Sequence, residues 1–142
     1  MRVVMDTNVL VAGMLSGASP PSEVLHQILQ GTLTLLVDAR IVAEYDEVTA
    51  RERFAFDPLE RRALLDTLAA ISHHVEAPPL NASLPDTDDV MFVEVAVAGN
   101  AAVLITGNVR HYPDVTGQYG FVVQTPRQFM EYMRGVRDVG GE

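Results

Sequence analysis

The sequence predicts one α/β domain built on a mainly parallel sheet. Short β-rich runs alternate with amphipathic helical patterns along the whole chain, the order that produces parallel strands joined by helices. The 142 residues suffice for one substantial core and are too few for two. A hydrophobic share of 48% beside 20% charged residues is that of a globular chain. The domain is placed at residues 1–138, with a frayed tail at 139–142 ending in Gly140-Gly141-Glu142.

Arg2–Met5 reads as the first strand and ends at Asp6. The segment after it, through Val11 and Ala12 to Ser16, reads as a helical turn before the loop at Gly17–Pro21. Val24, Leu25, Ile28 and Leu29 then share one helical face, with Gly31 as the stop. Leu33–Val37 reads as the second strand. Ala39–Arg53 reads as a helix, because Ile41, Val42, Tyr45 and Val48 recur at helical spacing. Asp57-Pro58-Leu59-Glu60 supplies a capping side chain, a proline at the first helical position and an early glutamate. The helix it opens carries Leu64, Leu65, Leu68 and Ile71. A short strand near His74–Glu76 precedes a proline-containing loop from Pro78 to Pro85. Asp88–Ala98 is rich in valine, yet its acidic start and length suit a buried helix better than a strand. Ala102–Ile105 and Phe121–Val123 complete the strands. Thr106-Gly107-Asn108 forms the turn leaving the first of them, and Thr125-Pro126 opens a last helix.

Composition narrows the chemistry. The chain has no cysteine, which removes disulfides, thiolate metal sites and cysteine nucleophiles. All ten positive residues are arginine, so lysine-dependent mechanisms are excluded as well. The net charge of −9 opposes a long footprint on a polyanion, although bound divalent cations would neutralise an acidic cluster locally. No apolar run reaches the roughly 18 residues of a membrane span. The early carboxylate Asp6 argues against a signal peptide, and a cytoplasmic location is expected.

The chemistry therefore falls to carboxylates. Asp6 stands where an apolar strand ends, and strand carboxyl ends form the ligand crevice of open α/β sheets; it reads equally as a cap for the following turn. Glu44 lies on the inner flank of its helix, where a carboxylate needs a compensating partner. Asp46, on the opposite flank, ranks below it. Asp86, Asp88 and Asp89 cluster at a helix start, where Asp86 or Asp88 serves as cap. Asp89 shares a face with Phe92, Val93 and Ala96 and so looks inward, with Asp88 next in rank. Separated carboxylates converging on a crevice suit a hard cation such as Mg²⁺ or Mn²⁺, which can acidify water and stabilise charge on a phosphodiester.

Four segments carry a family resemblance: Met5-Asp6-Thr7-Asn8-Val9-Leu10, Glu44-Tyr45-Asp46-Glu47-Val48, Asp86-Thr87-Asp88-Asp89, and Leu104-Ile105-Thr106-Gly107-Asn108 with His111. In this order and spacing they resemble the motifs of PIN-domain proteins, in particular VapC-like toxins of toxin–antitoxin pairs. The resemblance implies a three-layer α/β/α sandwich, metal-dependent hydrolysis of RNA, homodimerisation and inhibition by a small antitoxin protein. It assigns Asp6, Glu44 and Asp89 as metal ligands, and Asn8 as support for the first aspartate. Many members carry a fourth acid where Asn108 stands here, and Asn108 offers only a neutral oxygen. Asp88 is the residue that would compensate. His111 reads either as a loop residue with a local hydrogen bond or as a group that touches phosphate or moves a proton. Arg51, Arg53 and Arg110 are the candidates for holding a phosphate backbone.

Haloacid-dehalogenase-type phosphatases and response-regulator receivers also end their first strand in aspartate. Both rely on a lysine this chain lacks, and Asn8 replaces the second aspartate of the former. The remaining competitor is a PIN-fold binding or regulatory module without catalysis, which Asn108 and the acidic charge favour.

Overall fold

The structure, a computed structural model, describes the backbone of residues 1–140 and the side chains of residues 1–136. The frayed tail expected at 139–142 reaches beyond it: Gly141 and Glu142 lie outside the described residues. Five parallel strands form the sheet: β1 (Arg2–Met5), β2 (Thr34–Val37), β3 (His73–His74), β4 (Val103–Ile105) and β5 (Val122–Gln124), in the order β3-β2-β1-β4-β5. Six helices flank it: α1 (Thr7–Leu15), α2 (Pro20–Leu29), α3 (Ala39–Thr49), α4 (Pro58–Ile71), α5 (Val90–Ala98) and α6 (Pro126–Gly140). The expected three-layer sandwich is the result.

Strands covered on both faces read as continuous apolar runs, and β1 obeys: Val3, Val4 and Met5 are fully buried. Sequence order along the sheet reverses beside β1, which pairs with β2 on one edge and β4 on the other. Ligand crevices of open α/β sheets lie at this reversal, outside the strand carboxyl ends. Asp6 and Thr106, the residues that follow β1 and β4, therefore stand side by side there. The Asp6 amide donates to the Ile105 carbonyl at 2.9 Å, which locks the two strand ends together.

The valine-rich segment after Asp86 is a helix, as its length and acidic start predict. The Asp86 side chain accepts from the Asp88 amide at 2.9 Å and caps a 3₁₀ turn, Thr87–Asp89, that leads into α5. Helix α5 packs against β1, β2 and β4 and buries Phe92, Val93, Val95 and Ala96. Burial on nearly all sides overrides the strand preference of β-branched residues.

Two expectations are corrected. The segment from Asp6 through Val11 and Ala12 to Ser16, expected to be a helical turn, is a full helix that begins at Thr7, directly after Asp6. The helix expected over Ala39–Arg53 stops at Thr49. Arg61 of α4 supplies the reason. Its guanidinium donates to Thr49 Oγ1 at 2.9 Å and to the Asp46 carbonyl at 2.6 Å, and it pairs with the Asp46 carboxylate. A carbonyl of the last turn thus finds a partner outside the helix, and the chain leaves in a separate 3₁₀ turn at Glu52–Phe54. Arg62 pairs with Asp46 as well, so this acid belongs to the α3–α4 contact.

Candidate metal centre

Asp6 occupies the N-cap position of α1 without a capping bond of regular geometry, although the amides of Thr7 and Asn8 face its carboxylate. Its Oδ2 accepts from Thr106 Oγ1 at 3.0 Å and from the Tyr112 hydroxyl at 2.8 Å. With 5% of its surface exposed, Asp6 is among the few buried charged groups of the described residues. Burial raises its pKa, and the hydrogen bonds from Tyr112 and Thr106, with the amides of Thr7 and Asn8, oppose that rise.

Glu44 approaches from α3. Thr7 Oγ1 donates to Glu44 Oε2, so the residue after Asp6 ties the second acid to the first strand end. Burial raises the Glu44 pKa; Thr7 opposes this, and the charges of Asp6, Asp88 and Glu47 add to it. Tyr45, the next residue, donates to the Met5 carbonyl at 2.6 Å and fixes α3 against the end of β1.

Asp89 approaches from the start of α5. Burial, then repulsion from Asp6 and Asp86, pushes its carboxyl up to about 6, against a lowering by His111. His111 Nδ1 lies 3.2 Å from Asp89 Oδ2, an ion pair when the imidazole is protonated, and no hydrogen bond of regular geometry reaches this buried oxygen. An orphaned buried carboxylate oxygen is rare enough to require an explanation, and an ion is one.

The segment after β4 serves all three regions. Thr106 and Tyr112 reach Asp6. The Gly107 amide donates to Asn8 Oδ1 at 2.8 Å, while Asn8 Nδ2 donates to Thr106 Oγ1 at 3.4 Å. A Cβ on Gly107 would stand 3.1 Å from Asn8 Oδ1, so glycine lets this turn close on α1. Asn8 thus supports the Asp6 network through Thr106.

The acids share one electrostatic neighbourhood, since the charges of Asp6, Asp89 and Glu44 all bear on Tyr112. Among the described residues, however, no three His, Asp or Glu side chains converge closely enough to enclose an ion unaided. Neutral hydroxyls of Thr7, Thr106 and Tyr112 already compensate the carboxylates of Asp6 and Glu44. Asp89 alone of the three retains an unpartnered buried oxygen. The donor set of hard carboxylate oxygens still fits Mg²⁺ or Mn²⁺, which keep several waters and take few protein ligands.

The other candidates fall around this centre. Asp88 and Asn108 are exposed at its rim, and the Asn108 amide donates to Thr106 Oγ1 at 3.0 Å. Arg110 is exposed beside His111. Arg51 pairs with Glu47 at 3.2 Å, and the Arg53 guanidinium sits 4.8 Å over the Phe54 ring; neither contacts the acids. The arginine that does line the groove beside Glu44 is Arg40, which sequence reasoning missed. The groove, about 600 Å³, is bordered by Arg40, Glu44, Glu47, Asp88, Met91 and Glu94. Arg40 is bound by Asp38 at 2.7 Å and by buried Glu94 at 2.7 Å, whose other oxygen accepts the Leu80 amide at 2.7 Å. Tyr112 was missed for the same reason: its role depends on a contact across 106 positions of sequence.

The profile of the PIN domain matches residues 2–110. The chain belongs to the PIN-domain family. This is a family of nucleases that generally depend on divalent metals. Its matched region takes in Asp6, Glu44, Asp89 and Asn108 of this PIN domain. A search of curated proteins finds no match. Among solved structures, the PIN domain superposes on a chain of the crystal structure of VapBC2 from Rickettsia felis bound to a DNA fragment from their promoter. The TM-score is 0.56 at 14% identity, over 88% of this chain and 98% of that one. At such low identity the likeness establishes the fold.

Proposed function

We propose that this PIN domain is a Mg²⁺- or Mn²⁺-dependent endoribonuclease and the toxin of a toxin–antitoxin pair. The observation that carries the reading is the unpartnered, buried Asp89 oxygen in the shared field of Asp6 and Glu44 at the sheet's point of reversal. Asp6, Glu44 and Asp89 are the residues that would hold the ion. A hard cation there supplies charge neutralisation at a phosphodiester and a more acidic water.

The chain's own groups do the rest. Thr106 and Tyr112 orient one oxygen of Asp6, and Thr7 orients Glu44, so neither carboxylate has to reorganise when charge arrives. His111, partly exposed beside Asp89, is placed to pass a proton between the crevice and solvent. The groove beside Glu44 is lined by Arg40, whose charge Asp38 and Glu94 already neutralise. A single strand entering there meets little fixed positive charge, in keeping with a short footprint. The toxin assignment rests on the fold shared with a chain of the VapBC2 complex, a pair bound to its promoter. With it come a small antitoxin protein as partner, a homodimer and a cytoplasmic setting.

The test is direct. Purified protein incubated with RNA should cleave in Mn²⁺ or Mg²⁺ and stop on chelation. Asp6→Asn should lower cleavage at least about 100-fold, beyond the usual cost of an outer-shell change, while circular dichroism stays unchanged. Full activity in that variant refutes the reading. A wild-type protein that binds RNA and ions without cleaving favours a binding module, for which the exposed, uncharged Asn108 is the specific motive.

A further inference from the structure

We propose that Tyr112 is a positioning residue that sets the divalent-ion affinity of the centre by holding the Asp6 carboxylate in a single orientation. The inference rests on the metal-site reading above. It concerns a side chain outside the matched region, which ends at residue 110.

Tyr112 is 2% exposed, and its hydroxyl donates to Asp6 Oδ2 at 2.8 Å. Thr106 donates to the same oxygen at 3.0 Å. Two side-chain donors on one oxygen, with the amides of Thr7 and Asn8 also facing the carboxylate, hold its plane. Removing either leaves Oδ2 with one side-chain donor and loosens the carboxylate. The position of Tyr112 is fixed in turn by a 3₁₀ turn, in which the Tyr112 amide donates to the Val109 carbonyl at 3.0 Å. The short segment that carries Thr106, Gly107, His111 and Tyr112 therefore closes over the end of β1 as one latch.

The molecule also provides an internal comparison. Tyr45 is equally buried at 2% exposure, but its hydroxyl donates to the backbone carbonyl of Met5 at 2.6 Å. Loss of that bond affects the framework and leaves Thr106 and Tyr112 in place on Asp6 Oδ2.

The experiment is calorimetric titration of Mn²⁺ into wild type, Tyr112→Phe, Thr106→Val and Tyr45→Phe, each far below its own melting temperature. Outer-shell partners of metal ligands contribute on the order of 10–100-fold in affinity. Tyr112→Phe is expected to weaken Mn²⁺ binding by about that factor, Thr106→Val likewise, and Tyr45→Phe by less than about threefold even where its melting temperature falls. Equal affinity in wild type and Tyr112→Phe overturns the inference while the metal reading stands. So does equal weakening in Tyr112→Phe and Tyr45→Phe, which marks a general loss of structure. Absence of heat in the wild type overturns the metal reading and this inference with it. Should Tyr112→Phe fail to fold, the Thr106→Val comparison with Tyr45→Phe decides by the same criteria.

Discussion

Replacing Asp89 by asparagine should stabilise the metal-free protein and at the same time abolish its response to Mn²⁺. The folded protein holds this carboxyl at about 6, against 3.8 in an unfolded chain. At roughly 1.4 kcal/mol per unit, ionising Asp89 costs the fold about 3 kcal/mol at neutral pH. One side of the crevice meets solvent, and screening reduces the figure to about 1–2 kcal/mol. The sign is opposite to that of most carboxylates. The folded pKa is raised, so the cost is fully present above about 6, is relieved as pH falls through that value, and is gone below the unfolded pKa. The amide of the variant would carry no charge at any pH. In chelator at pH 7, Asp89→Asn should therefore melt about 3–6 °C higher than wild type, with the gap closing towards pH 4. In millimolar Mn²⁺ the wild type should rise, because an ion bound only by the native state stabilises it, whereas the variant should barely move. Thermal unfolding followed by circular dichroism across this grid is the assay. A variant less stable than wild type in chelator at pH 7, or one that gains as much from Mn²⁺, refutes the assignment of Asp89 as a strained carboxylate waiting for a cation.

Other consequences follow from contacts away from the acids. Glu94→Gln should cost about 1–3 kcal/mol in urea unfolding, because the new amide confronts either Arg40 or the Leu80 amide, two donors that the carboxylate now satisfies. Hydrogen exchange at Leu80 should quicken in that variant, and unchanged protection there contradicts the anchor role. Asp57→Ala removes the side chain that accepts from the Glu60 amide at 2.9 Å at the start of α4. A loss of about 1 kcal/mol is expected in the same unfolding measurement; no loss means that the cap is idle.

Periodicity and capping chemistry, both local, were legible in the bare order of residues. Asp57-Pro58 opens α4, Asp86 caps the turn before α5, and Gly31 follows α2 at a φ of +84°. Each follows from backbone groups a few residues apart. The inward placement of Glu44 and Asp89 was legible for the same reason, since helical spacing decides which side chains share a face. A helix end that depends on another helix was not: α3 stops at Thr49, where Arg61 of α4 binds. Nor did the sequence disclose how the acids are tolerated. Thr7, Thr106 and Tyr112 are inconspicuous in a one-dimensional reading; the juxtaposition of β1 and β4 turns Thr106 and Tyr112 into donors for Asp6, and the packing of α1 on α3 brings Thr7 to Glu44. Arg40 and Glu94, 54 positions apart, meet by the same route. Local hydrogen bonding and periodicity act over one or two turns and can be read in a line. Desolvation and partner choice depend on which strands lie side by side, and that is fixed when the sheet assembles.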